Sequence, residues 1–259
     1  MVNLKNYNVV FKQFVLLLTF FSLVSCSHQN YSVSKIEGKR ITITDKLNNV
    51  SEIEAFIKPY KDRIDKDLNV ILVYNPEILD KNGTWQTPIG DFLSDITLEK
   101  SSPVFESREN KKIDICLLNF GGIRTIIPKG NITARNAFEV MPFENSAVVI
   151  GLKGEQIQEI ASYIISEKKP HPLSGMTFKI DKNNFAKEIM IQGKPIENSK
   201  IYYLVTSDYL ANGGDNMTFF KKGISRIDLD YKLRNIMIDY FKDVDTLKIN
   251  HDIRIIKEQ

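Results

Sequence analysis

Two blocks of the chain concentrate side chains able to grip a small polar ligand. The first contains Asn119, Gly121, Gly122 and Arg124, followed by Met141, Pro142, Phe143, Glu144 and Asn145. The second is Ser207, Asp208, Tyr209, Leu210, Ala211, Asn212, Gly213, Gly214 and Asp215. An arginine just beyond a glycine pair is a planar fork of donors beside closely approachable backbone, suited to phosphate or ribose oxygens. Its ordinary fate is a surface ion pair. Phe143 sits among Pro and polar residues, where a ring can face a ligand, although most phenylalanines are core. Asn119 and Asn145 offer amides to a base or sugar, or simply to a turn. The Asn-Gly-Gly-Asp turn can aim Asp215 inward, where its carboxylate could accept vicinal hydroxyls. The plain alternative for Asp215 is an Asx turn. Phe143 and Tyr209, on separate loops, could stack on one base, at about 1–3 kcal/mol per base.

Metal chemistry has few candidates. The chain has three histidines, His28, His171 and His251, and no clustered ligand motif.

The elements positioning these residues alternate. A short strand is expected at 40–44 and a helix at 51–66. Ser51 and Glu54 there have capping-box spacing, and Ile53, Phe56, Ile57, Tyr60 and Ile64 have helical spacing. Pro59 predicts a kink or break within it. A buried strand is expected at 70–74, a helix at 89–98 and an apolar strand at 113–119 running into the glycine pair. Thr133 is a plausible cap for a short helix. Strands at 146–152, 176–180, 189–191 and 202–206, a helix at 153–166 and a closing helix at 230–241 complete the pattern. The short links favour antiparallel pairing, so the fold class is α+β, a single layered domain.

The N-terminus reads as targeting rather than fold. Lys5 and Lys12 precede the apolar run 14–25, which is short for a membrane span. It ends in Leu23, Val24, Ser25 and Cys26, which resembles a bacterial lipobox. The expected organisation is a signal peptide at 1–25, a lipidated tether from Cys26 and short strand at 26–50, and one domain at 51–259. A secretory signal that happens to contain cysteine is the alternative. With Cys26 acylated, Cys116 has no disulfide partner, and its apolar setting suits a buried, inert thiol. The net charge of +3 and the absence of a basic stripe argue against a nucleic-acid polymer as partner.

Taken together, Asn-x-Gly-Gly-Ile-Arg, Pro-Phe-Glu-Asn, Leu173-Ser174-Gly175 and Asp-Tyr-Leu-Ala-Asn-Gly-Gly-Asp resemble the C-terminal domain of the 5'-nucleotidase and UDP-sugar hydrolase family. The resemblance implies that Phe143 and Tyr209 grip the base and Asp215 the ribose hydroxyls. Asn119 and Arg124 would face the ribose–phosphate side, Asn145 the base, and the Gly175 backbone would form pocket wall. Where the family carries a further arginine, residues 80–84 offer Lys81, and Tyr209 stands for a more familiar phenylalanine. The Asp-x-His and Gly-Asn-His-Asp motifs of the family's metallophosphatase domain do not occur. The implied role is therefore the nucleotide-recognition half of a split phosphohydrolase on the bacterial envelope. It would have no cofactor of its own, and a separate metallophosphatase chain would supply divalent metals. A lipoprotein that binds nucleosides or nucleotides alone is the alternative.

Overall fold

The computed structural model describes residues 4–23, 32–44 and 48–258, and these fall into two units, Met1–Ser51 and Glu52–Gln259. In the first unit, α1 spans Leu4–Leu23, and residues 32–44 and 48–50 carry no regular structure. Residues 40–44 carry no strand, a correction to expectation: a period-2 pattern becomes a strand only when its backbone finds a ladder partner. Cys26 and its neighbours lie outside the described residues. No helix among the described residues is long and apolar enough to cross a membrane.

The second unit opens with α2 (Ser51–Leu68), β1 (Ile71–Asn75), α3 (Pro88–Glu109) and β2 (Ile115–Leu117). Next come β3 (Gly130–Thr133), α4 (Ala134–Val140), β4 (Ser146–Lys153), α5 (Gly154–Glu167) and β5 (Leu173–Ser174). The strands β6 (Met176–Ile180), β7 (Ala186–Ile191), β8 (Lys194–Pro195) and β9 (Ile201–Ser207) follow. The chain closes with α6 (Asp208–Ala211), β10 (Ser225–Lys232), α7 (Leu233–Asp243) and β11 (Ile255–Lys257).

A five-stranded sheet ordered β10-β4-β9-β2-β5 forms the middle layer. Its strands alternate between two cores. Ala147 and Val149 of β4 face one, while Val148, Ile150 and Leu152 face the other. Cys116 and Val205 join the first, with α3, α4 and α7; Ile115, Leu117 and Leu204 join the second, with α5 and the β6–β7 hairpin. Helices and strands cover both faces, so these strands read as continuous apolar runs. The α+β layered expectation holds, and most pairs are antiparallel; β2–β9 and β11–β6 are parallel.

Several local expectations need correction. The 70–74 strand is half exposed rather than buried, because β1 pairs with β3 in a two-stranded ladder and is flanked on its other side by a single bridge from Tyr74 to Thr246. α3 extends to Glu109 through Pro103, and α2 runs uninterrupted through Pro59. A proline forfeits one helical hydrogen bond, and the surrounding turns carry the helix past it. Ser102 also donates to the Leu98 carbonyl at 2.6 Å, beside the break. The closing helix starts at Leu233, because β10 occupies 225–232. That stretch alternates Ile227, Leu229 and Tyr231 with charged residues, the period of a strand.

Candidate functional site

Strand register decides which loops meet. β2 and β9 run parallel, with Cys116 beside Val205, so both deliver their following loops to the same sheet edge. β4 is antiparallel to β9, with Ala147 opposite Ser207, so the loop preceding β4 arrives there too. Asn119, Phe143, Asn145, Tyr209 and Asp215 are brought together from three loops. With Gly121, Gly122 and Arg124 they line one cleft of about 420 Å³.

Asp215 is the organising group. It lies in the left-handed region, φ 50° and ψ 30°, which aspartate tolerates better than most residues. Its Oδ2 accepts a hydrogen bond from Asn119 Nδ2 at 2.7 Å, and its Oδ1 accepts one from the Tyr209 hydroxyl at 2.8 Å. Its main-chain carbonyl accepts from the Tyr163 hydroxyl at 2.6 Å. Tyr209 rises from α6, whose first turn is capped by the Ser207 hydroxyl accepting from Leu210 N–H. The Tyr209 ring rests against Gly214, where an added Cβ would stand 2.5 Å from ring atoms Cε1 and Cζ. Any larger residue there would push the ring out of this position.

Across the cleft, Phe143 and Tyr209 are each about half exposed, at 46% and 45%. The loop carrying Phe143 is pinned from beneath by Arg234, a buried residue at the start of α7. Arg234 pairs with Glu144, and its guanidinium stacks 4.1 Å from the Phe138 ring centroid. This pairing holds the exposed Glu144 carboxyl below its usual range. Leu233 N–H also donates to the Asn145 carbonyl at 2.9 Å.

Arg124 extends from the glycine turn toward Phe143, its guanidinium carbon 5.9 Å from the ring centroid. No carboxylate among the described residues pairs with it. Beside it, Lys81 donates to the Ile123 carbonyl at 2.6 Å and lies 4.3 Å over the Phe120 ring. Partial burial, then the neighbouring Arg124 charge, lowers the Lys81 pKa. Two cations side by side without a counter-charge suit an anion.

His171 supports the turn from behind. Its Nδ1 accepts the Phe120 N–H at 3.3 Å, and its burial lowers its pKa to about 4, so it is neutral at pH 7. Lys81, offered by the resemblance in place of a further arginine, stands beside Arg124; the supporting roles of Tyr163, His171 and Arg234 are absent from the sequence reading because each reaches the cleft's loops from a distant segment.

Gly175 does not line this cleft. It borders a separate hollow with Asp95, Gln192 and Arg254. Its φ of +76° and the Asp114 carbonyl where a Cβ would sit explain the glycine structurally. Cys116 is buried and its pKa raised well above the ordinary thiol range, as an inert core residue requires. Among the described residues no group of three or more His, Cys, Asp or Glu could hold a metal ion.

Known proteins share this architecture. A 5'-nucleotidase precursor from Thermus thermophilus superposes with a TM-score of 0.66 at 23% identity, over 80% of this chain and 42% of its own. The NAD nucleotidase of Haemophilus influenzae gives 0.62 at 15% identity, over 81% and 42%. An apyrase from Tabanus yao is 20% identical over 88% of this chain and 45% of its own length. The chain thus spans less than half the length of each of these relatives. The family model described as "5'-nucleotidase, C-terminal domain" matches residues 71–222, which include every residue lining the cleft and more than half of the sequence. The chain belongs to the 5'-nucleotidase C-terminal domain family.

Proposed function

We propose that the cleft holds a 5'-nucleotide. The base lies between Phe143 and Tyr209, with Asn145 at its edge. The ribose hydroxyls meet Asp215 and Asn119, and the phosphate meets Arg124, with Lys81 beside it. The observation that carries this reading is the charge layout: a cation and a carboxylate in one cleft, neither in an ion pair among the described residues, with two half-exposed rings. A nucleotide presents the complementary set in the same molecule: a π face, a diol and an anion. The names of the relatives, apyrase and 5'-nucleotidase among them, point to the same ligand class.

In this reading the chain is the recognition half of a phosphohydrolase. Ions and attacking water come from a separate metallophosphatase chain, and this chain contributes positioning, which can supply a large part of a rate enhancement. The exposed apolar face of α2 (Ile53, Phe56, Ile57, Tyr60 and Ile64) supports a protein partner. Lipid on Cys26 would hold the chain on a bacterial envelope. A second reading, binding without catalysis, is favoured by the composition of the cleft, which offers rings, a carboxylate and a guanidinium.

The test is calorimetric titration of the full chain with adenosine and with AMP, alongside phosphate release from AMP. A charge-assisted contact contributes about 1.5–3 kcal/mol, so AMP should bind at least roughly tenfold more tightly than adenosine. Phosphate release should require the added metallophosphatase chain. No heat from either ligand at millimolar concentration would sink nucleotide recognition. Phosphate release by this chain alone would sink the division of labour.

A further inference from the structure

Tyr209 carries a hydroxyl that stacking does not need, and that hydroxyl is committed to the Asp215 carboxylate. A carboxylate has about four lone-pair sites, two on each oxygen. Asn119 Nδ2 fills one on Oδ2 and the Tyr209 hydroxyl fills one on Oδ1. One site therefore remains on each oxygen. We propose that the Tyr209 hydroxyl is a positioning group that fixes Asp215 as a two-point acceptor and so makes the cleft select a vicinal diol over a single hydroxyl. The inference rests on the nucleotide reading above and specifies its sugar.

The arrangement is rigid on three sides. The Asp215 main chain is held by Tyr163, and the close seat against Gly214 fixes the Tyr209 ring in the plane that brings its hydroxyl to Oδ1. The hydrogen bond to Asp215 raises the Tyr209 pKa, so the hydroxyl keeps its proton and stays a donor through neutral pH. The Asp215 N–H also points to the same hydroxyl oxygen at 3.3 Å, closing a small ring of contacts. Without the hydroxyl, Oδ1 loses its only side-chain donor among the described residues. The carboxylate can then turn about its Cβ–Cγ bond, with Asn119 as sole anchor. A diol needs both oxygens in one orientation; a lone hydroxyl can follow either.

The experiment compares adenosine with 2'-deoxyadenosine on the full chain by calorimetry, for the wild type, Tyr209→Phe, Asp215→Asn and the double variant. Tyr209→Phe keeps the ring and its seat on Gly214. Losing one oriented hydrogen bond should weaken adenosine about fivefold while leaving 2'-deoxyadenosine within about twofold, so the preference for ribose shrinks. In Asp215→Asn the further change Tyr209→Phe should have little additional effect, because both act through one acceptor. Equal weakening of both nucleosides would assign Tyr209 to stacking alone and overturn the inference. Tighter binding of adenosine by Tyr209→Phe would make the hydroxyl a competitor of the ribose, and would also overturn it. Wild type that binds neither nucleoside would overturn the nucleotide reading itself, a result distinct from binding with an unchanged ribose preference.

Discussion

α5 and α2 carry nearly the same instruction in sequence and meet opposite fates. Ile157, Ile160, Ile164 and Ile165 of α5 are buried against the central sheet. The corresponding stripe of α2 stays in solvent, with Phe56 72% exposed and no residue of the helix buried. Arginines divide in the same way. Arg254, on the segment leading into β11, is buried among Asp91, Asp95, Ser94 and the Leu173 carbonyl, whereas Arg124 has no anionic partner among the described residues. Groups whose demands are met within the chain hold it together. Groups whose demands go unmet are available to something else. Periodicity and residue type announce the demand; only the fold shows whether it is answered.

Breaking an answered demand should give the largest effect. Arg254→Ala leaves Asp91 buried and Asp95 half-buried without their counter-charge, and should cost about 3–5 kcal/mol of stability in a urea titration. Asp91 adds a pH dependence. Burial outweighs the adjacent guanidinium and pushes its pKa up to about 6, so its contribution is fully present below its unfolded value and declines as pH rises through 6. A loss below 1 kcal/mol for Arg254→Ala would remove the contrast with Arg124.

His171 sharpens the comparison, being buried directly behind the cleft and only half answered: its Nδ1 accepts the Phe120 N–H, and its Nε2 is buried without a hydrogen-bond partner among the described residues. Its pKa is lowered from 6.5 to about 4, so the unfolded chain takes up the proton first as pH falls. The stability it contributes is present above pH 6.5 and is lost on descent through 4. Between pH 7 and 4.5, wild type should lose on the order of 2 kcal/mol more than His171→Gln in paired denaturation curves. Equal acid limbs would mean that His171 is solvated in the native state.

Unmet groups should show the reverse profile. Arg124→Ala should leave stability within about 0.5 kcal/mol, as exposed substitutions do. It should weaken AMP about tenfold, with little change for adenosine, and flatten the salt dependence of AMP binding. The smallest effect belongs to Phe56→Asp on α2, again within about 0.5 kcal/mol for the chain alone. If Phe56→Asp instead destabilised the isolated chain by several kcal/mol, the α2 stripe would be core after all.

The sequence carried the cleft further than it carried the sheet. Six of the seven expected binding residues line one cleft, because glycine pairs and polar loops between apolar strands mark sheet ends wherever those strands pair. Gly175 was misassigned: a glycine needed for positive φ looks, in sequence, like one needed for ligand approach. The expected closing helix overlaps the last three residues of β10, where Asp230 takes φ 55° and the pairing register shifts after Asp228, a bend that residue types alone do not record. Residues 40–44 have strand composition without a ladder. Lys81, His171 and Arg234 act through contacts tens of residues away, 42 apart for Lys81 and Ile123, and no local pattern records such a meeting.

None of the cleft residues Asn119, Arg124, Phe143, Asn145, Tyr209 and Asp215 belongs to either buried core. Tyr209 sits on the short helix α6 and the others on turns and loops beyond the strand ends, so their identities can drift while the packing of the three layers stays untouched. Such a sheet edge is evolvable. Lineages can retune which ligand it greets by single loop substitutions, and each trial is judged on recognition rather than on whether the protein still folds.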